Sequence, residues 1–187
     1  GDDITTGYEN VCIGVNAGGN FDAEFQNVFI GNDAGGGAIN GADRCVGIGV
    51  AVLQGALTVD GTIAIGWAAG NAITTGAANV AIGYSALKLE DTGGYNTAIG
   101  YEALTDLNYD GSGVTVAIGS YAGANLTTGT ANTMIGHNTL GTATTALKNV
   151  AIGQSTMASV KAAVAVDGCV AIGYEALAGN SSNTTGI

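Results

Sequence analysis

The segments Asn79-Val-Ala-Ile-Gly-Tyr-Ser-Ala-Leu87 and Asn96-Thr-Ala-Ile-Gly-Tyr-Glu-Ala-Leu104 are two copies of one motif, with their Ile residues 17 positions apart. The Ile-Gly pair at the centre of the motif returns ten times along the 187-residue chain, at intervals of 17 to 20 residues. The ten copies begin at Ile13, Ile30, Ile48, Ile65, Ile82, Ile99, Ile118, Ile135, Ile152 and Ile172. A sustained period of this kind is typical of repeat proteins whose units stack to share a core.

The residues before each Ile-Gly pair alternate in character. A β-branched residue stands two positions before every Ile, and Ala stands between them in six copies. This alternation predicts a short strand, in which the β-branched residue and the Ile share one face while the Ala and the Gly share the other. We expect the Val/Ile columns to fill the core, so that Ile99→Asp unfolds the chain. The Ala/Gly face is then the expected self-association interface, which Ala98→Arg would weaken; its residues are Ala64, Ala81, Ala98, Ala117, Ala151 and Ala171.

A second apolar column lies about half a repeat from the first and is often followed by a turn such as Thr-Thr-Gly. Its members are Ile4, Ile39, Leu57, Ile73, Leu107 and Leu126. Strand, turn, shorter strand and turn then make one coil, and only stacked coils bury a core. The sequence therefore predicts an all-β fold, a β-solenoid or β-roll of about ten 17–20-residue coils with two short strands per coil. It forms one repeat domain over residues 1–187, uncapped at both ends.

Two further columns have a structural interpretation. Asn stands three positions before the Ile in six of the ten copies, and we expect these amides to form a hydrogen-bonded ladder along a bend. The Gly after each Ile indicates a backbone position with positive φ or a close approach of another chain segment.

The motif resembles the head repeats of trimeric autotransporter adhesins, and more closely the Asn-Thr-Ala-Ile-Gly-Tyr-x-Ala-Leu arrays of phage tail fibres and related bacterial surface proteins. Asn79–Leu87 and Asn96–Leu104 carry this resemblance, which extends over essentially the whole chain. It implies a left-handed β-roll, often trimeric, that serves as a stalk or an adhesive head. No catalytic residue accompanies the motif.

Composition narrows the classes of function. The chain has 4 Lys and Arg against 15 Asp and Glu, a net charge of −11, which argues against nucleic-acid binding. No apolar run is long enough for a membrane-spanning helix. We therefore expect a non-catalytic structural module of an extracellular, cell-surface or virion fibre. It would associate with itself, as a trimer or a filament, through the Ala/Gly face and end to end. The alternative is a surface-lattice binding protein, a solenoid that binds carbohydrate or ice.

Few side chains suggest other chemistry. Trp67, Tyr84 and Tyr101 occupy one column of three successive coils and form a candidate stripe for cell-surface glycans. His137 falls in the same column and is read as a surface residue rather than a catalytic base. Cys12, Cys45 and Cys169 lack metal-ligand spacing and are expected to be free buried thiols, with bonds between chains as the alternative. We expect the acidic residues to lie in turns with their side chains in solvent. The sequence predicts no enzyme, no cofactor and no metal.

Overall fold

The structure, a computed structural model, describes residues 6–19, 21–159 and 167–179. Each Ile-Gly copy supplies a three-residue strand that ends at its Ile. All ten strands pair in parallel and in chain order within one sheet, with Ile aligned on Ile. The strands are β1 Val11–Ile13, β2 Val28–Ile30, β3 Val46–Ile48, β4 Ile63–Ile65, β5 Val80–Ile82, β6 Thr97–Ile99, β7 Val116–Ile118, β8 Thr133–Ile135, β9 Val150–Ile152 and β10 Val170–Ile172.

This arrangement confirms the predicted all-β solenoid. The chain rises by one coil per repeat, so residues one repeat apart become neighbours. None of the described segments is a helix long and apolar enough to cross a membrane. The left-handedness implied by the resemblance stays a prediction. The expectation that both ends are uncapped concerns mainly residues 1–5 and 180–187, which lie outside the described residues.

The second half of each coil differs from the prediction. Its apolar column is buried, since Leu57, Ile73, Leu107 and Leu126 are fully enclosed and Ile39 nearly so; Ile4 lies outside the described residues. Within the described ranges, however, this half forms bends and isolated bridges rather than a second strand. The hydrogen bonding shows why, because the N–H groups of Thr74 and Thr75 both donate to the carbonyl of Asp91. Two successive donors to one acceptor mark a bend, whereas a strand alternates its donors between sides.

Left-handed backbone conformations make the corners of the coil. In the coil around β5, Ala78, Ser85 and Leu87 have φ values of 54°, 52° and 51°. The corresponding positions are left-handed in the other coils as well. Such a conformation costs a non-glycine residue about 1 kcal/mol or more. Hydrogen bonds between coils offset this cost: Ser85 N–H donates to the carbonyl of Trp67 at 2.8 Å, and Leu87 N–H donates to that of Ala103 at 2.9 Å.

The glycine after each Ile meets both conditions that the sequence suggested. Gly66 has a φ of +131°, and a Cβ atom built on it would lie 2.4 Å from the carbonyl oxygen of Gly83 in the next coil. Only glycine permits this conformation and this contact together. The coils therefore pack backbone against backbone along this column.

The asparagine ladder forms mainly between side chain and backbone. The Oδ1 atom of Asn79 accepts a hydrogen bond from the backbone N–H of Asn96, one coil on, at 2.8 Å. Its Nδ2 group donates to the carbonyls of Gly76 and Gly93 at 3.0 and 2.7 Å. One direct amide-to-amide bond runs from Asn149 to Asn132, at 3.1 Å. The ladder prediction is confirmed, with backbone groups as its main partners.

Candidate interaction face

The middle residue of each strand points into the coil, and the two outer residues point out of it. In β5, Ala81 is fully buried, while Val80 and Ile82 beside it are partly exposed. The pattern recurs through the central strands of the sheet. The solenoid thus turns its β-branched columns toward solvent.

The predicted interface is therefore on the wrong side of the strand. Ala64, Ala81, Ala98, Ala117 and Ala151 are fully buried and Ala171 is 4% exposed, so this strip cannot meet a second chain. The expectation that the Val/Ile columns form the core is wrong for the same reason. Alternation in a strand shows which residues share a face, but not which face is buried.

The packing inside the coil explains why alanine points inward. The interior also holds the apolar column from the opposite half-coil and, in five of the ten coils, a large residue five positions after the Ile. Leu87, Leu104, Ile73 and Leu107 are all fully buried there. In these coils little space remains beneath the strand, so a methyl group fits where an isoleucine would not. The strands that carry Phe29 or Met134 at this position have a glycine, Gly35 or Gly123, against the larger side chain.

Two outward columns form an apolar face along the whole sheet. We call this set the Val/Ile face. Most of its members in the inner strands are partly buried; the exposed fraction reaches 37% at Ile118 and Ile135 and rises to 58% at Ile13 and 66% at Ile172 in the outermost strands. The face consists of Val11, Val28, Val46, Ile63, Val80, Thr97, Val116, Thr133, Val150 and Val170 with Ile13, Ile30, Ile48, Ile65, Ile82, Ile99, Ile118, Ile135, Ile152 and Ile172.

The Val/Ile face is uncharged throughout, although the chain as a whole carries a net charge of −11. Ten strands at about 4.8 Å spacing make it about 43 Å long. Its three-residue strands make it about 10 Å wide at the usual rise per residue, so it covers roughly 430 Å². That is about half of the ~800 Å² per partner of a standard protein interface, and it is comparable to the larger apolar patches found on monomers.

An aromatic ladder borders the face on the side of the glycine column. The rings of Trp67 and Tyr84 stack at 4.7 Å and 15°, and those of Tyr84 and Tyr101 at 5.0 Å and 8°. Tyr121 and His137 extend the row with edge contacts at 5.3 and 6.1 Å. The predicted stripe Trp67, Tyr84 and Tyr101 is therefore a contiguous row of exposed side chains.

The orientation of these rings limits what they can bind. Because Tyr84 stacks between Trp67 and Tyr101, both of its faces are covered and its edge and hydroxyl point outward. Tyr101 also hydrogen-bonds Glu102, and that bond is the main reason why the pKa of Tyr101 is raised to about 12. The geometry thus suits edge contacts and hydrogen bonds to the hydroxyls, rather than a sugar stacked on a ring face.

The remaining predicted residues lie apart from one another. His137 is exposed at one end of the ladder. The three cysteines are free within the chain, and Cys45 is buried as predicted, whereas Cys12 and Cys169 are partly exposed. Burial raises the pKa of the Cys45 thiol, whose Sγ lies 3.5 Å from the carbonyl oxygens of Asp43 and Val59. Among the described residues, no group of three His, Cys, Asp or Glu side chains could hold a metal ion.

Two acidic residues are buried, although the sequence predicts that the acidic residues are solvated turn residues. Glu24 is 4% exposed and Glu90 is fully buried. Glu90 stands nine residues before Ile99, as Ile73 stands nine before Ile82, so it occupies a place in the second apolar column. Aligning the coils on their Ile residues would have shown this substitution.

Comparison with known proteins adds no family or function to the fold described above. No protein-family model, curated protein or solved structure matches it. The likeness of the repeat to fibre and adhesin arrays therefore stays a prediction from the motif, and the molecule is described as a ten-stranded parallel β-solenoid.

Proposed function

We propose that this chain is a non-catalytic structural module of an extracellular, cell-surface or virion fibre, which self-associates laterally through the Val/Ile face. The observation that carries the proposal is the exposure of two uncharged β-branched columns along all ten coils of an acidic chain. Apolar surface of this extent gains free energy when it is covered, at about 25 cal/mol per Å² removed from water.

A second copy is the partner that fits this face best. The face is regular from coil to coil, so a copy lying alongside meets the same columns over the whole length. Because the columns carry no charge, two chains of net charge −11 can approach there without placing like charges in contact. The charged residues Glu9, Arg44 and Lys148 stand one position before the asparagine column, at the rim, where charges usually border an interface.

The repeat also supports a structural role over a catalytic one. Each column presents similar groups at successive coils, which builds a uniform rod. Catalytic sites usually bring unlike groups together at one point. The side-chain ladders seen here, of asparagine and of aromatic residues, stabilise neighbouring coils against each other.

A surface-lattice binding protein is the second candidate, and the exposed edges of Trp67, Tyr84 and Tyr101 favour its carbohydrate-binding form. The ice-binding form has less support. The hydroxyls of Thr74 and Thr127 donate at 3.0 Å to the carbonyls of Asp91 and Thr144 in the next coil, so they serve the fold. Glycan-array binding and thermal hysteresis measure these two activities directly.

Small-angle X-ray scattering with sedimentation tests the proposed function. Lateral association predicts a particle of several chain masses and the length of one solenoid. End-to-end association, which also stays a proposal, predicts a length that grows with mass. A chain that remains monomeric at every concentration, or that binds a glycan as a monomer, would favour the second candidate instead.

A further inference from the structure

Glu90 places a carboxylate inside the core of the solenoid. It is fully buried and stands in the second apolar column, with Ile73 in the preceding coil and Leu107 in the following one. Both neighbours are also fully buried. An acidic side chain in such a position is costly when charged, unless its partners compensate.

The carboxylate joins two coils. Its Oε1 atom accepts a hydrogen bond from the backbone N–H of Gly93, in its own turn, at 2.6 Å. Its Oε2 atom accepts one from the backbone N–H of Tyr109, in the next coil, at 3.2 Å. The bond to Tyr109 is one of several that fasten the turn at residues 90–94 to the segment at 105–113. The N–H of Gly94 also donates to the carbonyl of Gly111 at 3.1 Å, and the Thr92 hydroxyl donates to Oδ1 of Asp110 at 2.8 Å. We call this pair of segments the Glu90 joint.

The electrostatic surroundings do not compensate a negative charge there. The titratable side chains on the segments packed against Glu90 are Lys88 and Asp91 in its own coil with Asp106, Tyr109 and Asp110 in the next, and residues 71–79 of the preceding coil contain none. The Lys88 ammonium lies over the Trp67 ring, 5.7 Å from its centroid. Asp91 has a buried carboxylate oxygen without a hydrogen-bond partner among the described residues.

Burial accordingly raises the pKa of Glu90; the N–H donors of Gly93 and Tyr109 oppose this shift, and the nearby Asp91 adds to it. Glu24 provides the contrast within the same chain. Burial alone would raise its pKa too, but donors at Gly41, Asp22 and Ala23 together outweigh burial and the pKa is lowered. The two buried glutamates therefore respond to acid in opposite directions.

We propose that the Glu90 joint is an acid-stabilised contact between coils, which closes more firmly when Glu90 takes up a proton. Protonation removes the buried charge. The carbonyl oxygen still accepts one backbone hydrogen bond, the hydroxyl oxygen accepts the other more weakly, and the group gains an O–H donor. The stabilisation is complete below the pKa that Glu90 has in the unfolded chain. It is lost as pH rises through the higher folded value. The inference concerns the coil itself and does not depend on the proposed function.

Amide hydrogen exchange tests the joint in the intact chain. We expect the protection factors of the Gly93 and Tyr109 amides, corrected for intrinsic exchange, to rise as the pH is lowered from 7 toward 5. Each pKa unit that separates the folded from the unfolded Glu90 changes the ratio of closed to open joint by about tenfold. The ¹³C shift of the Glu90 carboxyl should titrate with the same midpoint, above the usual range of a glutamate side chain.

Two variants identify the titrating group. Glu90→Gln should abolish the pH dependence of protection at Gly93, whereas Asp91→Asn should weaken it without removing it, because the Asp91 charge adds to the raised pKa of Glu90. Flat protection in the wild type, dependence that survives Glu90→Gln, or dependence removed by Asp91→Asn would each overturn the proposal. If Glu90→Gln fails to fold, the wild-type exchange profile and the carboxyl titration decide the question together.

Discussion

The ring of Phe29 occupies the space that a side chain at Gly47 would need. The two residues are aligned partners at the centres of β2 and β3. A Cβ atom on Gly47 would lie 2.6 Å from Cδ1 and 2.7 Å from Cε1 of Phe29. In other pairs of neighbouring strands, such as β5 and β6, this inward position pairs Ala with Ala, as in Ala81 and Ala98. One large and one absent side chain thus replace two methyl groups.

This complementarity predicts strong coupling between the two positions. Phe29→Ala should lower the free energy of unfolding by about 3–5 kcal/mol because it leaves a cavity. Gly47→Ala should lower it by about 1–3 kcal/mol because it overpacks the same space. The double variant restores an Ala–Ala pair at this position. Its free energy of unfolding should be higher than the sum of the two single decreases predicts. Urea unfolding of all four chains measures the coupling; strictly additive losses would show that the two sites do not share this space.

The glycine column predicts a cost set by the neighbouring coil. A Cβ atom on Gly83, at φ +136°, would lie 2.2 Å from the carbonyl oxygen of Gly100. Gly173 is the matched control, since it stands in the same column with a φ of +125° but nothing lies within 4 Å of the added atom. Gly83→Ala should therefore destabilise the chain by about 1–3 kcal/mol more than Gly173→Ala does. Equal thermal shifts in the two variants would mean that backbone conformation, and not packing between coils, requires these glycines.

The asparagine ladder predicts a graded series at one position. Asn79→Ala removes the partners of three buried backbone groups, at Gly76, Gly93 and Asn96. Each such group left without a partner costs about 1–3 kcal/mol. Asn79→Thr should be milder, because Thr62 and Thr115 already stand in this column. Asn40→Ala, at an exposed position, is the control, and a similar loss at Asn40 and Asn79 would remove the ladder's structural role.

Glu24 predicts loss of stability in acid. Its pKa is lowered by the backbone donors, so its contribution is present above the usual Glu range and is lost as pH falls through the folded pKa. At neutral pH, Glu24→Gln should cost about 1.5–3 kcal/mol, because an amide cannot accept on both sides as the carboxylate does. Chemical unfolding from pH 7 to pH 3 should show the wild type converging on the variant. Parallel curves across this range would contradict the prediction.

Much of this fold can be predicted from the sequence, because one unit of 17 to 20 residues repeats ten times. The strand positions, the glycine contacts and the asparagine ladder all follow from columns of similar residues. The second strand of each coil was predicted wrongly, since buried residues such as Ile73 and Leu107 lie on bends rather than on strands. The left-handed corner at Leu87 has no signal in its residue type, because leucine rarely adopts that conformation.

The main difference from the prediction is which face of the strand is buried. Val80, Ala81 and Ile82 alternate equally well with either set inside, and composition favours the larger residues for a core. The interior is instead filled from Leu87, from the opposite half-coil and from β-strand alanines. Sequence periodicity does not show how much side-chain volume the interior can hold, because that volume depends on how closely the two halves of the coil approach.

The central claim is that Ile99 faces a partner and Ala98 faces the core, and two adjacent substitutions test it most directly. Sedimentation equilibrium and circular dichroism of Ile99→Asp and Ala98→Arg, beside the wild type, give the answer. We expect an associating wild type, a folded but dissociated Ile99→Asp chain and an unfolded Ala98→Arg chain. An unfolded Ile99→Asp chain with a folded Ala98→Arg chain, or a wild type that is monomeric at every concentration, would contradict the claim.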